Sequence, residues 1–214
     1  MIKISLLFIL LLSACSFKTP QNEWQYKSAN AFNSYTKNFL ASNDVLAKSD
    51  LDRAIKHAKK SADLTELAKI YLGECALHIS VGKSSTCREY QDISELVQSE
   101  ELGAYYAFIA LHVEKREIEF LPQAYREFAL HVEKGEYEKA ELTLLHVEKP
   151  ISTLLCASLI RERVTNETKE KMIELASFNG YKKVALFWLH ELLKTTSDAK
   201  RRENIKKKIS ILIT

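Results

Sequence analysis

Residues that break regular structure are scarce in this chain. Only 5 Gly and 3 Pro occur in 214 residues. That excludes collagen-like and Pro/Gly-rich disordered classes, and it leaves too little turn chemistry for a many-stranded sandwich. No alternating run of β-branched residues follows the first dozen positions, so the strand period of two is missing. No apolar run reaches the roughly 20 residues that a membrane-spanning helix needs. No two of the four cysteines are separated by just two residues, as in CxxC, which removes support for dithiol redox chemistry and zinc ribbons. The patterns GxSxG, HExxH, GxGxxG and the phosphate-binding loop are also missing. No cofactor is implied. Charge is nearly balanced overall, at +3.

The N-terminus carries the sharpest signal. Lys3 supplies a positive start, residues 4–12 are apolar except for Ser5, and Leu12-Ser13-Ala14-Cys15 follows. This is the plan of a secretory signal: a charged start, a short apolar stretch and small residues at a cleavage site. The last four residues resemble the lipobox of bacterial lipoproteins. The resemblance implies a signal peptide over 1–14 and diacylation of Cys15, which becomes the new N-terminus. It implies a lipid bilayer as one partner. Ser16 after the cysteine, rather than Asp, implies the outer membrane, facing the periplasm. Residues 15–22 form a short tether, whose seven residues after Cys15 reach at most about 25 Å. Nucleic acid is not expected as a partner in such a compartment.

Leu, Ala, Glu and Lys dominate what remains, and these are helix formers. A single all-α domain is expected over 23–214, with enough chain to bury a core. Trp24, Tyr26, Phe32, Tyr35, Phe39 and Leu40 mark an amphipathic segment over 23–46. Ser49 is expected to cap a second helix, and Asp63 a third that Gly82 ends. A fourth is expected from Thr86, carrying Tyr90, Ile93, Leu96 and Val97. Ser99 caps a fifth, and Pro122 suits a first helical turn. Links are short, which favours antiparallel hairpins.

Three segments align: Ser49 to Ala54 and Ala58, Gly135 to Ala140 and Leu144, and Gly180 to Ala185 and Leu189. In each, a small turn residue precedes an alanine by five positions, and an apolar residue follows four later. This resembles the second helix of the tetratricopeptide (TPR) repeat, where the alanine lets two helices approach closely. Tyr137 and Pro150 strengthen the match at Gly135. The first-helix pattern is absent, because those places hold Ala124, Glu127, Phe128 and His131. The spacings are 86 and 45 residues rather than multiples of a repeat length. The resemblance implies a divergent TPR-like α-solenoid of stacked antiparallel hairpins, with an exposed concave surface. Its ligand-clamping residues have no counterparts here. A plain helical bundle is the alternative.

Other features are less directive. Cys75 and Cys87 flank the turn at residues 82–86, and an exported chain can join them. Such a loop contributes roughly 3 kcal/mol by the chain-entropy argument. Two reduced thiols are the alternative, and Cys156 reads as a core thiol. The pentapeptide Leu-His-Val-Glu-Lys occurs at 111–115, 130–134 and 145–149. Its histidines, His112, His131 and His146, fall at different helical phases, so no metal site is assigned. Glu100 and Glu101 fit a helix first turn better than a catalytic carboxylate pair. Over 84–149 acids outnumber bases about two to one, and from Arg161 onward the ratio reverses. Residues 198–214 read as a capping helix, with Ile205, Ile209 and Leu212 inward and lysines outward.

The expectation is therefore a membrane-anchored scaffold or adaptor for envelope proteins or peptides, without enzymatic activity. A cell-wall enzyme or its direct activator is the first alternative, and a small-ligand or metal carrier the second. The leader makes its own prediction. A clickable fatty acid should label the wild-type chain in cells, and Cys15→Ala should abolish that label and release or misroute the protein. Equal labelling of both chains contradicts lipidation.

Overall fold

Five backbone reversals of one kind organise the chain. Their geometry is seen in a computed structural model that describes residues 22–213. The expected signal peptide, Cys15 and residues 16–21 of the expected tether, like Thr214, lie outside the described residues. Eleven α-helices follow one another: α1 Glu23–Leu40, α2 Asp44–Ala58, α3 Thr65–Ser80, α4 Arg88–Gln91, α5 Glu100–Ile109, α6 Gln123–Glu133, α7 Tyr137–Thr143, α8 Pro150–Leu159, α9 Asn166–Phe178, α10 Lys182–Thr195 and α11 Ala199–Ile213. Short 3-10 turns occupy Ser94–Leu96, Lys115–Phe120 and Leu144–His146. Among the described residues there is no strand. The fold is all-α with stacked helices.

Ser42, Gly82, Leu111, Gly135 and Gly180 all adopt positive φ, between 60° and 77°, just after a helix ends. In each case the next residue's N–H reaches back five residues. Asn43, Lys83, His112, Glu136 and Tyr181 donate to the carbonyls of Asn38, His78, Ala107, His131 and Ala176 at 2.8–3.0 Å. The left-handed residue itself donates three residues back, as Gly135 does to Val132 at 2.9 Å. These paired bonds are the Schellman closure, which satisfies carbonyls that a helix end leaves open.

The position five residues after four of these reversals is small and buried. Ala47, Ala140 and Ala185 are 3%, 0% and 4% exposed, and Cys87 holds the same place after Gly82. A methyl group there lets the returning helix lie close on its predecessor. Three antiparallel pairs result: α1 with α2, α6 with α7 and α9 with α10.

The first pair corrects the sequence reading. Helix α1 stops at Leu40 rather than running to 46, and Asn43 rather than Ser49 precedes α2. Ser49 lies inside α2, so Ala54 is not the alanine that follows the turn. The matching pair is Ser42 and Ala47. Ala54 is nonetheless fully buried, and its carbonyl accepts from Ser28 Oγ at 2.9 Å. The fourth helix is also shorter than expected. Helix α4 is one turn long and gives way to the Ser94–Leu96 turn. Cys87, joined to Cys75 on α3 with Cα atoms 5.3 Å apart, anchors its start. Asp63 lies two residues before α3, with Leu64 in the cap position, and accepts from Thr65 N at 2.9 Å.

Helix α3 is central. It packs on α1, α2, α4, α5 and, across a long stretch of sequence, α8. Ser158 Oγ on α8 donates to the Ser80 carbonyl at 3.2 Å. Phe187 of α10 fills the space beside Gly82, where a Cβ would lie about 2.2 Å from its ring. Lys183 of α10 pairs with Asp44 of α2, and its Nζ lies 4.1 Å from the Phe39 ring centroid. The last hairpin therefore touches the first. Packing is not confined to sequential neighbours, and one core runs from Tyr35 on α1 to Trp188 on α10. Smaller clusters join Ala31, Ala54 and Leu67, and, at the C-terminus, Leu189, Leu192, Ile205 and Ile209.

The reversals separate backbone cost from packing cost. A Cβ on Gly135 meets nothing within 4 Å, so only its φ of 72° resists substitution. Gly135→Ala should destabilise by about 1 kcal/mol, because an L-residue is disfavoured there. Ser42→Gly should stabilise by up to about 1 kcal/mol for the converse reason. Urea unfolding midpoints check both. Shifts of the same sign, or none, contradict this turn geometry.

Candidate functional site

Helix α7 is cut short, and a groove results. Its seven residues end at Thr143, whose Oγ1 donates to the Ala140 carbonyl at 2.7 Å. The chain then tightens into Leu144–His146 and extends through Val147 to Pro150, the first residue of α8. Proline disfavours helix in the residue before it, so α7 and α8 cannot merge. Thr153 Oγ1 holds the crossing, donating to the carbonyls of Val147 at 2.9 Å and Lys149 at 3.2 Å.

More apolar side chains crowd this short stretch than one helical face can bury. Leu144 points inward and is 3% exposed, while Leu142 and Leu145 are 65% and 67% exposed. Across from them stands α9, with Met172 and Leu175. Between the two lies an open groove of about 660 Å³.

Glutamates edge the groove: Glu138, Glu141, Glu148 and Glu167. Two of them are committed. Glu141 accepts from Thr165 N at 2.9 Å and Thr165 Oγ1 at 2.7 Å, tying α7 to the start of α9. Burial pushes the Glu141 carboxyl up, but hydrogen bonds from Thr168 and Thr165 outweigh it and hold it below its ordinary value. Glu167 pairs with Lys171 at 2.8 Å. Glu138 and Glu148 are exposed and make no ion pair among the described residues. The groove thus offers apolar walls and two uncommitted negative charges.

The residues singled out in the sequence lie elsewhere or beside it. Gly135 and Ala140 shape the turn and the packing of α7, and Gly180 and Ala185 do the same for α10. The three histidines do not converge. His112 lies edge-on to Tyr106, with ring centroids 5.6 Å apart, and His146 lines an adjoining hollow with Phe128 and Glu127. His131 Nδ1 meets Glu136 Oε2 at 2.8 Å, across the Gly135 turn. Hydrogen bonds from Lys139 and then His131 bring Glu136 down to about 2. Among the described residues no group of three or more His, Cys, Asp or Glu could hold a metal ion. Glu100 and Glu101 occupy the first turn of α5, behind Ser99, whose side chain accepts from Leu102 N. Cys156 is fully buried, and burial pushes its thiol up, so it is no nucleophile.

Sequence reasoning missed Leu142, Leu145, Met172, Leu175 and Glu148 as site residues. A signal was present. Leu142, Leu144, Leu145 and Val147 face too many directions for a half-buried helix, and Pro150 closes the run.

A second feature is electrostatic. Glu74 on α3 is partly buried, and burial raises it to about 7; Glu89 and Asp52 push the same way. It neighbours the disulfide and explains no recognition by itself.

No protein-family model, no curated protein and no solved structure matches the chain.

Glu74 sets a pH dependence. Its folded value lies above the unfolded carboxylate value of about 4.3, so the folded state holds the proton more tightly. Stability from this group is fully present below about 4.3 and is lost as pH rises through about 7. Glu74→Gln should therefore raise the urea midpoint relative to wild type at pH 8 and leave it nearly unchanged at pH 4, below the unfolded value. A difference independent of pH contradicts the assignment.

Proposed function

We propose that this chain is a bacterial envelope lipoprotein, acylated at Cys15 and held on the outer membrane facing the periplasm. It acts there as a non-enzymatic adaptor. Its helical pairs are read as divergent TPR-like repeats, stacked and folded back so that the last hairpin touches the first. Envelope proteins or peptides are its partners, and the groove between α7, the Leu144–His146 turn and α9 is where they are held.

One observation carries this reading: two leucines more than half exposed, on the wall of an open groove with an acidic edge. Burying apolar surface contributes roughly 25 cal/mol per Å², so such side chains gain most from being covered. Contiguous exposed apolar surface rimmed by polar groups marks interaction sites. Anchoring at Cys15 confines the groove to one membrane face and raises its encounter rate with partners there. A carrier of a small apolar ligand is a second reading. It is favoured by the groove's volume, about 660 Å³, which falls within the range of about 300–1,000 Å³ common for such sites.

Chemical cross-linking in intact cells, followed by affinity recovery of the full chain, tests the adaptor reading. Leu142→Asp with Leu145→Asp should lower partner yield by about tenfold while leaving the helical spectrum unchanged, because both side chains are exposed. Undiminished recovery from the folded double variant contradicts the proposal. A bound small apolar compound, extracted from wild type and missing from the variant, favours the carrier reading instead.

A further inference from the structure

We infer that the groove's occupant is a basic amphipathic helix of a partner protein, with apolar residues at helical spacing and Lys or Arg on its flanks. The inference rests on the adaptor reading and specifies its partner.

The walls dictate a helix rather than an extended peptide. Both sides of the groove are helical: α7 with its 3-10 turn, and α9. Helical backbones spend their donors and acceptors internally, and in the extended link at the groove's end the carbonyls of Val147 and Lys149 are taken by Thr153 Oγ1. The apolar groups stand in rows of helical period. Leu142 and Leu145 are three residues apart on one wall, and Met172 and Leu175 are three apart on the other. Leu142 and Leu145 stand out as an exposed ridge, and buried Met172 with half-buried Leu175 forms the base of the channel beside it. A third helix fills such a channel with its own i, i+3 or i, i+4 row.

Charge then chooses the flanks. Of the four glutamates at the edge, Glu141 is bound to Thr165 and Glu167 to Lys171. Glu138 and Glu148 remain without an ion pair, both exposed, at the two ends of the stretch that carries the leucines. Glu127 stands in the hollow adjoining Glu148. An acidic helix or a fatty carboxylate would place like charges together here, at a cost in both affinity and encounter rate. Lys or Arg on the flanks of an incoming helix would meet Glu138 and Glu148 and fix its direction. Of the other exposed apolar side chains, Val45 lines a smaller hollow of about 410 Å³ whose other walls are polar, with Lys48, Asp52 and Arg53.

The test uses the full chain in phosphatidylcholine nanodiscs, with empty nanodiscs as the blank. Two fluorescent peptides of about 14 residues, nearly four helical turns, share one leucine pattern and differ only in carrying Lys or Glu at every polar position. Fluorescence anisotropy should give a Kd at least about tenfold lower for the lysine peptide. Leu142→Asp with Leu145→Asp should weaken its binding by about tenfold or more, and Glu138→Lys with Glu148→Lys should reverse the preference. All four positions are exposed, and an unchanged helical spectrum shows that the variants fold.

Equal affinity for the two peptides overturns the inference. So does lysine-peptide binding that survives both double variants. Displacement of the peptide by palmitate at a lower concentration than by unlabelled peptide overturns it in favour of a lipid ligand. The two readings fail separately. Loss of peptide preference, with cellular partner recovery still dependent on Leu142 and Leu145, removes the helix and leaves the adaptor. Recovery independent of those leucines removes the adaptor at this groove.

Discussion

A helix that must turn back on itself leaves its last carbonyls open, and this chain closes them by the same bond five times. The N–H three residues past the helix reaches the carbonyl five residues earlier, and the residue just before the donor takes positive φ. This reversal sets the direction of the next helix. The small side chain five positions on then sets its distance. Ala47, Ala140 and Ala185 have almost no exposed surface because another helix lies on them. A larger group there would push the pair apart and force off-rotamer packing, typically costing about 1–3 kcal/mol. The continuous core, and the meeting of α10 with α1 and of α8 with α3, follow from pairs held this closely.

The groove is a consequence of the same chain logic interrupted. After Gly135 the returning helix runs for only seven residues, and a 3-10 turn and an extended link then lead to Pro150. Positions 142, 144 and 145 would not share one face even of a longer α7. The shortened helix and its 3-10 turn bury Leu144 and leave Leu142 and Leu145 outside. Glu141 fixes the spacing of the walls by capping the start of α9 through Thr165. The site is thereby held by hydrogen bonds below its rim, while the rim leucines and the Glu138 and Glu148 carboxylates stay uncommitted. That division between a fixed floor and an open edge is what the proposed recognition of a partner helix requires.

Legibility in the sequence depended on how unusual each residue was for its role. Scarce Gly and Pro with helical periodicity point to an all-α chain, and Gly135 and Gly180 advertise their turns because glycine tolerates positive φ. Ser42 carries the same conformation at φ 69° without that signal. The motif Ser-x-Leu-Asp at 49–52 looked like a helix start, so the alignment slipped seven residues, from Ala47 to Ala54. Leu111, at φ 60°, was equally silent. The two cysteines around Gly82 could be read as a possible bridge, because a turn between them brings their backbones together. The groove could not, since it is made by tertiary placement: Met172 and Leu175 look like an ordinary core stripe until α7 ends early opposite them.

The central claim is that the surface between α7 and α9, and not another exposed apolar position, engages a partner in the envelope. Site-specific photo-cross-linking in intact cells tests it most directly. The photo-reactive residue is placed in turn at Leu142 and Leu145 in the groove, and at Val45 and Phe178, which are 85% and 91% exposed elsewhere on the molecule. The account predicts discrete adducts with a protein partner from the two groove positions and none from the other two. Adducts from Val45 or Phe178, with none from Leu142 and Leu145, would contradict it.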